Sequence, residues 1–305
     1  MRHLLSVSDL SPGEIERIFA ITEDLKAKFA QGEREAILPG RVMALLFEKR
    51  SLRTRVSFEA AMIHLGGSSL FLGEDVGFGD RESLADFGRV LSSYVDVLVV
   101  RSNQHQTAVE LASHCSCSVI NGLTDHEHPC QVLADLFTLS EQLGTLRGQT
   151  LTFVGDGNNV ARSLAWACGM LGMRFVAAMP EGYQFEESFV AELRATLPDI
   201  ELHVTSDPVA AVRDAIAVYT DVWTSMGQEA QAAQRRRDFA AFQVNGELLS
   251  HAPAGTRFMH CLPAHRGEEV TNDVIDGPQS IVVEQAGNRL HVQKGILAWL
   301  LGSQA

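Results

Sequence analysis

From Val42 to Gly67 the chain reads VMALLFEKRSLRTRVSFEAAMIHLGG. An apolar run, a short polar loop and a helical pattern closed by Gly66 and Gly67 follow one another. That is a strand, a turn and a helix, the repeating unit of a parallel α/β sheet. The unit recurs along the chain. Strand-like runs are expected at Val42–Phe47, Ser69–Leu72, Val95–Val100 and Ser118–Asn121 in the first half. In the second half they are expected at Thr150–Val154, Phe175–Met179, Leu202–Thr205, Ala217–Thr220, Arg257–His260 and Ser280–Val283. Helical patterns fill the gaps, so the expected fold class is α/β with mostly parallel sheets flanked by helices.

A chain of 305 residues exceeds one ordinary domain at about 100 to 200 residues each, so two are expected. The segment EQLGTLRG, Glu141–Gly148, separates a helix from the strand LTFV and marks the expected boundary. Domains are accordingly expected over residues 1–142 and 143–286, with a terminal helix in residues 287–305 whose pattern runs over Asn288–Leu301. Near the start, Ser11, Pro12 and Glu14 form a capping-box signature, and Ile15, Ile18 and Phe19 follow at helical spacing.

The turn after Phe47 concentrates Lys49, Arg50, Ser51, Arg53, Thr54 and Arg55. A charge run is commonly a solvated helix face. Hydroxyls and arginines gathered at the turn itself suit an anion better, because free N–H groups at a helix start favour negative charge and guanidinium forks match phosphate or carboxylate oxygens. The whole chain nevertheless carries 25 Lys plus Arg against 38 Asp plus Glu, a net charge of -13. Such a chain repels nucleic acid and anionic membranes at long range, so neither is an expected partner and the basic cluster serves a small anion.

The N-terminus lacks a signal-peptide pattern, and no apolar run approaches the roughly 18 residues of a membrane span, so a cytoplasmic location is expected. Cys115, Cys117, Cys130, Cys168 and Cys261 are an odd count for a disulfide framework and are expected as reduced thiols. The HCSC and HEHPC stretches lack the paired C-x2-C elements of structural zinc sites, so no metal is expected there.

Three further stretches carry candidate chemistry. In DHEHPCQVLADLFT, Asp125–Thr138, Pro129 opens a helix with His128 just before it and Gln131 in its first turn; His128 can donate to a carbonyl and Gln131 can hold an amide. GDGNN, Gly155–Asn159, resembles a dinucleotide turn, which raises a nicotinamide oxidoreductase as an alternative, but the fingerprint's third glycine is missing. In YTDVWTSMGQE, Asp221, Ser225 and the backbone near Met226 and Gly227 stand at a strand end, where a carboxylate suits an ammonium group and where Asp221 or Ser225 could equally cap a helix. FMHCLPAHRGEE places Cys261 at another strand end; such a cysteine is commonly a small buried hydrophobe, while His260, His265 and Arg266 beside it favour function.

Taken together, SLRTR, HPCQVLADLFTL, GDGNN, DVWTSMGQE, HCLPAHRGEEVT and NRLHVQK resemble, in family order and over nearly the whole chain, the aspartate/ornithine carbamoyltransferases. DVWTSMGQE and HCLP favour ornithine over aspartate as the acceptor. The resemblance implies a first domain that binds carbamoyl phosphate, a second that binds the amino acid, and a terminal helix that packs back on the first. It implies carbamoyl phosphate contacts at Ser51, Leu52, Arg53, Thr54, Arg101, His128, Gln131, Cys261, Leu262 and Arg289. It implies ornithine contacts at Asn159, Asp221, Ser225 and Met226, and catalytic roles for Cys261, Asp221, Arg101 and His128.

The implied reaction gives citrulline and phosphate without a covalent enzyme intermediate, metal or organic cofactor, and is placed in arginine biosynthesis. Closing of the two domains is implied as the step that aligns the reactants. The loop GEDVGFGDRESL implies a homotrimer with shared sites.

Two positions depart from the family pattern. Leu52 stands in place of a threonine, which removes a hydroxyl; loss of one neutral hydrogen bond costs about 0.5 to 1.5 kcal/mol. Gly77 aligns where a glutamine is common, leaving Asp80 and Arg81 to cover its contact. The apolar Leu52 also resembles enzymes that carbamoylate N-acylated ornithines, so an acylated ornithine or another amine is the alternative acceptor. A non-catalytic carbamoyl phosphate-binding protein is the remaining alternative.

Overall fold

The computed structural model describes residues 2–73, 76, 82–225 and 227–302. Gly77, Asp80, Arg81 and Met226, singled out above, lie outside the described residues. The chain forms two compact units, one of Met1–Phe137 with Gly287–Ala305 and the other of Thr138–Ala286. Each is an α/β layer structure around a parallel sheet.

In the first unit the order is α1 (Pro12–Ala30), β1 (Val42–Phe47), α2 (Leu52–His64), β2 (Ser68–Leu72), α3 (Leu84–Leu91), β3 (Val97–Arg101), α4 (His105–His114), β4 (Ser118–Leu123) and α5 (Pro129–Leu143), whose residues from Thr138 belong to the second unit. The strands pair β2-β1-β3-β4, all parallel. Strand β3 is buried along its whole length, as a strand covered on both faces must be, which is why VLVV reads as a continuous apolar run. One face of the sheet packs Ala44, Leu46, Leu98, Val100 and Val119 against Ala108 and Leu111 of α4. The capping box at Ser11 forms: its hydroxyl accepts from Glu14 N–H at 3.3 Å and Glu14 Oε2 accepts from Ser11 N–H at 2.9 Å.

In the second unit the order is β5 (Thr150–Val154), α6 (Asn159–Met170), β6 (Arg174–Ala178), α7 (Glu187–Thr196), β7 (Leu202–Thr205), α8 (Pro208–Val212), β8 (Ala217–Thr220), α9 (Ala232–Asp238), α10 (Gly246–Ser250), β9 (Arg257–His260), α11 (Asn272–Ile275) and α12 (Val282–Leu301). The sheet runs β7-β6-β5-β8-β9, again all parallel. Its core joins Val154, Val176, Val212, Val218 and Phe258 to Phe242, Leu248 and Val274. Residues of α12 from Gly287 onward belong to the first unit. There Gly295 lets α12 approach α1 closely: a Cβ would lie 3.0 Å from the Ile18 carbonyl oxygen and overlap the Thr22 hydroxyl.

Two expectations fail at one place. Ser280–Val283 is not a strand: Ser280 makes only an isolated parallel bridge to Phe258, and α12 begins at Val282 rather than Asn288. A short β-branched run cannot be told from a helical turn by composition. Burial tells them apart, since Val282 and Gln285 face inward while Val283 is 76% exposed, a spacing of three.

Candidate active site

Ligands of open α/β sheets bind outside the carboxyl ends of the strands where the strand order reverses. In the first unit that reversal lies between β1 and β3. Strand β1 delivers Ser51 to the start of α2, and β3 ends on Arg101. Ser51 caps α2 by accepting from Thr54 N–H at 3.4 Å, which leaves its own hydroxyl proton to donate. The N–H groups of Leu52 and Arg53 belong to the first turn, which has no intrahelical acceptor. A 13-residue helix thus turns its positive end to the strand ends.

Thr54 is buried and accepts from two guanidiniums, Arg289 Nη2 at 2.7 Å and Arg101 Nη1 at 3.4 Å. Burial, and then the nearby charge of Arg289, pull the Arg101 pKa down to about 10, so it stays charged near neutrality at a cost. Among the described residues Arg101 has no carboxylate partner, and its Nε meets no acceptor. The pairing of β3 with β4 slips at Val100 and Arg101, a bulge that re-aims the arginine. Gly122 makes the slip possible, because a Cβ there would stand 3.0 Å from Val99 Cγ1 and 3.3 Å from the Val100 oxygen.

After β4, His128 and Gln131 share the first turn of α5, where Gln131 N–H donates to the His128 oxygen at 3.1 Å. His128 is buried; burial, then Arg289 and Arg101, hold its pKa well below the ordinary value. It is therefore a neutral imidazole beside two cations. Not every charge of the loop joins them. Arg55 pairs with Glu59 at 3.2 Å and stacks over Phe71 at 3.7 Å, while Arg53 and Leu52 are exposed.

In the second unit the strand order reverses between β5 and β8. The loop after β5 is GDGNN and the residue after β8 is Asp221. Asn158 caps α6, its Oδ1 accepting from Val160 and Ala161 N–H at 3.0 Å each, and its Nδ2 donates to Asp221 Oδ2 at 2.9 Å. Asp221 Oδ1 accepts from Val222 N–H at 2.8 Å and from the Cys261 thiol at 3.0 Å. Cys261 follows β9, so three strand ends meet on one carboxylate.

Asn159, which the resemblance implies as an ornithine contact, opens α6, and its Oδ1 accepts from Val160 N–H at 3.0 Å. Ser225 lies farther along the loop after β8, its N–H donating to Gln228 Oε1 at 3.1 Å.

Over residues 2–141 the sequence matches the family described as "Aspartate/ornithine carbamoyltransferase, carbamoyl-P binding domain", and over residues 147–300 the one described as "Aspartate/ornithine carbamoyltransferase, Asp/Orn binding domain". The chain belongs to the aspartate/ornithine carbamoyltransferase family. It is a carbamoyltransferase. Among its relatives, the ornithine carbamoyltransferase of Pyrococcus abyssi is 50% identical over 304 residues, 99% of this chain and 96% of that one. The enzyme of Pyrococcus furiosus named "Ornithine carbamoyltransferase, anabolic" is 48% identical over 304 residues, again 99% and 96%. A solved ornithine carbamoyltransferase from Pyrococcus furiosus superposes with a TM-score of 0.96 at 47% identity, covering 100% of this chain and 98% of that one. One from Thermus thermophilus gives 0.88 at 41%, covering 98% and 99%.

The structure of this carbamoyltransferase gives a setting to His260 and Leu262, which the sequence had singled out, and adds Glu269 and Arg235, which it had not. His260 is fully buried: its Nδ1 accepts from Leu262 N–H at 2.8 Å and its Nε2 faces Glu269 Oε1 at 3.1 Å, which fixes the tautomer. Leu262 is held at φ 56, in the left-handed region a leucine rarely adopts. Asp221, His260 and Cys261 offer ligand atoms within 4.8 Å of one another, a possible metal trio, but both ring nitrogens of His260 already have partners. Buried Arg235 pairs with Asp156 of the GDGNN loop, donates to the Trp223 oxygen of the β8 loop, and lies over Tyr183 and Phe239 at 4.8 and 5.1 Å. It ties together the two loops that frame Asp221. Asn158 carries a local signal, an asparagine just before a helix; Arg235 and Glu269 carry none.

Proposed function

We propose that this carbamoyltransferase transfers the carbamoyl group of carbamoyl phosphate to the side-chain amine of L-ornithine, giving L-citrulline and phosphate. The observation that carries the proposal is the pair of buried guanidiniums, Arg101 and Arg289, on the hydroxyl of Thr54. Two buried like charges without a carboxylate for Arg101 call for an anion, and a phosphate dianion answers both. Ornithine as acceptor is supported by the names of relatives about half identical over 99% of the chain, and by a carboxylate paired with a thiol where an ammonium group would be held.

The phosphate is assigned to the α2 N-terminus with Ser51, Arg53 and Thr54, and to Arg101. His128, neutral, donates to the carbonyl oxygen without adding a third charge. Gln131 is assigned to the carbamoyl amide, and Leu262 and Arg289 are assigned as carbamoyl phosphate contacts on the strength of the family's motifs. Asp221 receives the ornithine ammonium; the proton passes to the Asp221–Cys261 pair, and the free amine attacks the carbonyl carbon. The tetrahedral intermediate gives the second amine proton to the departing phosphate as the bond from carbon to the bridging oxygen breaks, and hydrogen phosphate leaves on the arginines. Donors aimed at such developing charge are worth about 10²- to 10³-fold in rate each. Carbamoyl phosphate brings its own leaving group, so the chemistry calls for no metal or organic cofactor.

Arginine biosynthesis is the assigned direction, in line with the relative named anabolic. Five free thiols suit a reducing cytoplasm. Self-assembly, as a homotrimer, is supported by an exposed apolar face of Leu52, Val56 and Ile63 on α2 beside Leu70 and Phe71 of edge strand β2. The test is turnover of carbamoyl phosphate with ornithine, N-acetylornithine, putrescine and aspartate, scored for ureido product and phosphate. Product with ornithine is expected. No product with any amine sinks the proposal, and preference for N-acetylornithine transfers it to the acylated substrate that Leu52 suggests.

A further inference from the structure

Gln131 and Asp135 lie one turn apart on α5, and both are buried, at 1% and 0% exposure. Gln131 Nε2 donates to Asp135 Oδ1 at 2.8 Å. The Asp135 carboxyl oxygen accepts from the amide nitrogen, which leaves the amide oxygen on the other edge. That oxygen, Gln131 Oε1, is buried and has no hydrogen-bond partner among the described residues. A buried acceptor without a donor is costly unless a ligand brings one.

The surroundings narrow the ligand. Arg101, Arg289 and the first-turn N–H groups of α2 are all donors, and His128, one turn from Gln131, senses both guanidiniums. These donors satisfy the oxygens of an acyl phosphate, whereas Gln131 Oε1 offers an acceptor to an amino group. We infer that Asp135 is a positioning residue that locks the Gln131 amide with its oxygen outward, and that this lock makes the site select the amino-bearing acyl phosphate over one bearing a methyl. The inference rests on carbamoyl phosphate being the ligand of this unit.

Equilibrium binding tests it separately from turnover. Carbamoyl phosphate, acetyl phosphate and inorganic phosphate are titrated calorimetrically into the full-length protein and into Asp135→Asn and Gln131→Met. In the unmodified protein carbamoyl phosphate is expected to bind at least about tenfold more tightly than acetyl phosphate, the worth of one buried hydrogen bond. In Asp135→Asn the amide can reverse, so that preference falls to within about threefold while inorganic phosphate binds as before. Gln131→Met removes the amide itself and is expected to lose the preference as well; where Asp135→Asn does not fold, Asp135→Ala takes its place with the same expectation and decides the matter. A preference unchanged in the folded variants, or a loss shared equally by all three ligands, overturns the inference. Failure to carbamoylate any amine with the binding preference intact counts against the reaction alone.

Discussion

Arg101 and Arg289 donate to the same hydroxyl oxygen, that of Thr54, from the end of a strand and from the C-terminal helix. The arrangement costs desolvation and repulsion in the free protein, so an anion between the two should stabilise the fold. Added phosphate or carbamoyl phosphate is expected to raise the thermal unfolding midpoint, by an increment that grows with concentration as ligand linkage requires. Arg101→Ala should abolish the increment and lower kcat/KM by about 10²-fold or more. An undiminished increment in that variant would show that the anion lies elsewhere.

Asp221 accepts from Asn158 on one oxygen and from Cys261 and the Val222 N–H on the other. Asp221→Asn should lower kcat by about 10²- to 10⁴-fold, the range for loss of a positioned acid–base group. Asn158→Ala should raise KM for ornithine and, through the lost cap of α6, cost about 1 kcal/mol in urea unfolding. Cys261→Ser retains a donor to Asp221 and should be milder than Cys261→Ala. Equal losses in the two cysteine variants would remove the thiol's hydrogen bond from the account.

Leu52 is 77% exposed at the first position of α2, and Arg53 beside it is exposed as well. Surface substitutions of this kind change stability by less than about 0.5 kcal/mol. Leu52→Thr is therefore expected to fold normally and to change the carbamoyl phosphate KM only modestly, while Arg53→Ala loses far more activity. Similar kinetic effects from the two would contradict the phosphate role of the loop.

His128 and His291 should make the fold acid-sensitive. Burial, then Arg289 and Arg101, lower the His128 pKa; burial, then Lys294 and Lys26, lower that of His291 to about 3. Below about pH 6.5 an unfolded histidine takes a proton that the folded one refuses, so stability is lost as pH falls. For His291 the loss continues down to about pH 3, where the folded form also protonates. Melting scans between pH 7 and pH 4 should show a shallower acid decline in His291→Leu than in the unmodified protein; parallel declines would reject this contribution.

Much of the fold is written in short stretches. The runs Val42–Phe47, Thr150–Val154, Leu202–Thr205, Ala217–Thr220 and Arg257–His260 are strands with the bounds that their apolar content suggests. The exception, Ser280–Val283, has strand composition but too few residues to show a period, and the packing of its helix decided it. In the site, Ser51, Thr54, His128 and Asp221 stand beside turn and cap signals in the sequence, whereas Arg235 is one of three consecutive arginines and only its burial singles it out.

By itself the sequence determined the alternation of strands and helices, the caps that start them and the family to which the chain belongs, because periodicity, turn chemistry and motif order are local properties. Only the tertiary structure decided that Arg289 reaches a threonine 235 positions earlier, and that Asn158 holds Asp221. It also decided that Arg235 ties the β5 and β8 loops together. Such meetings depend on strand order and on which side chains packing leaves facing one another, and no local pattern encodes either.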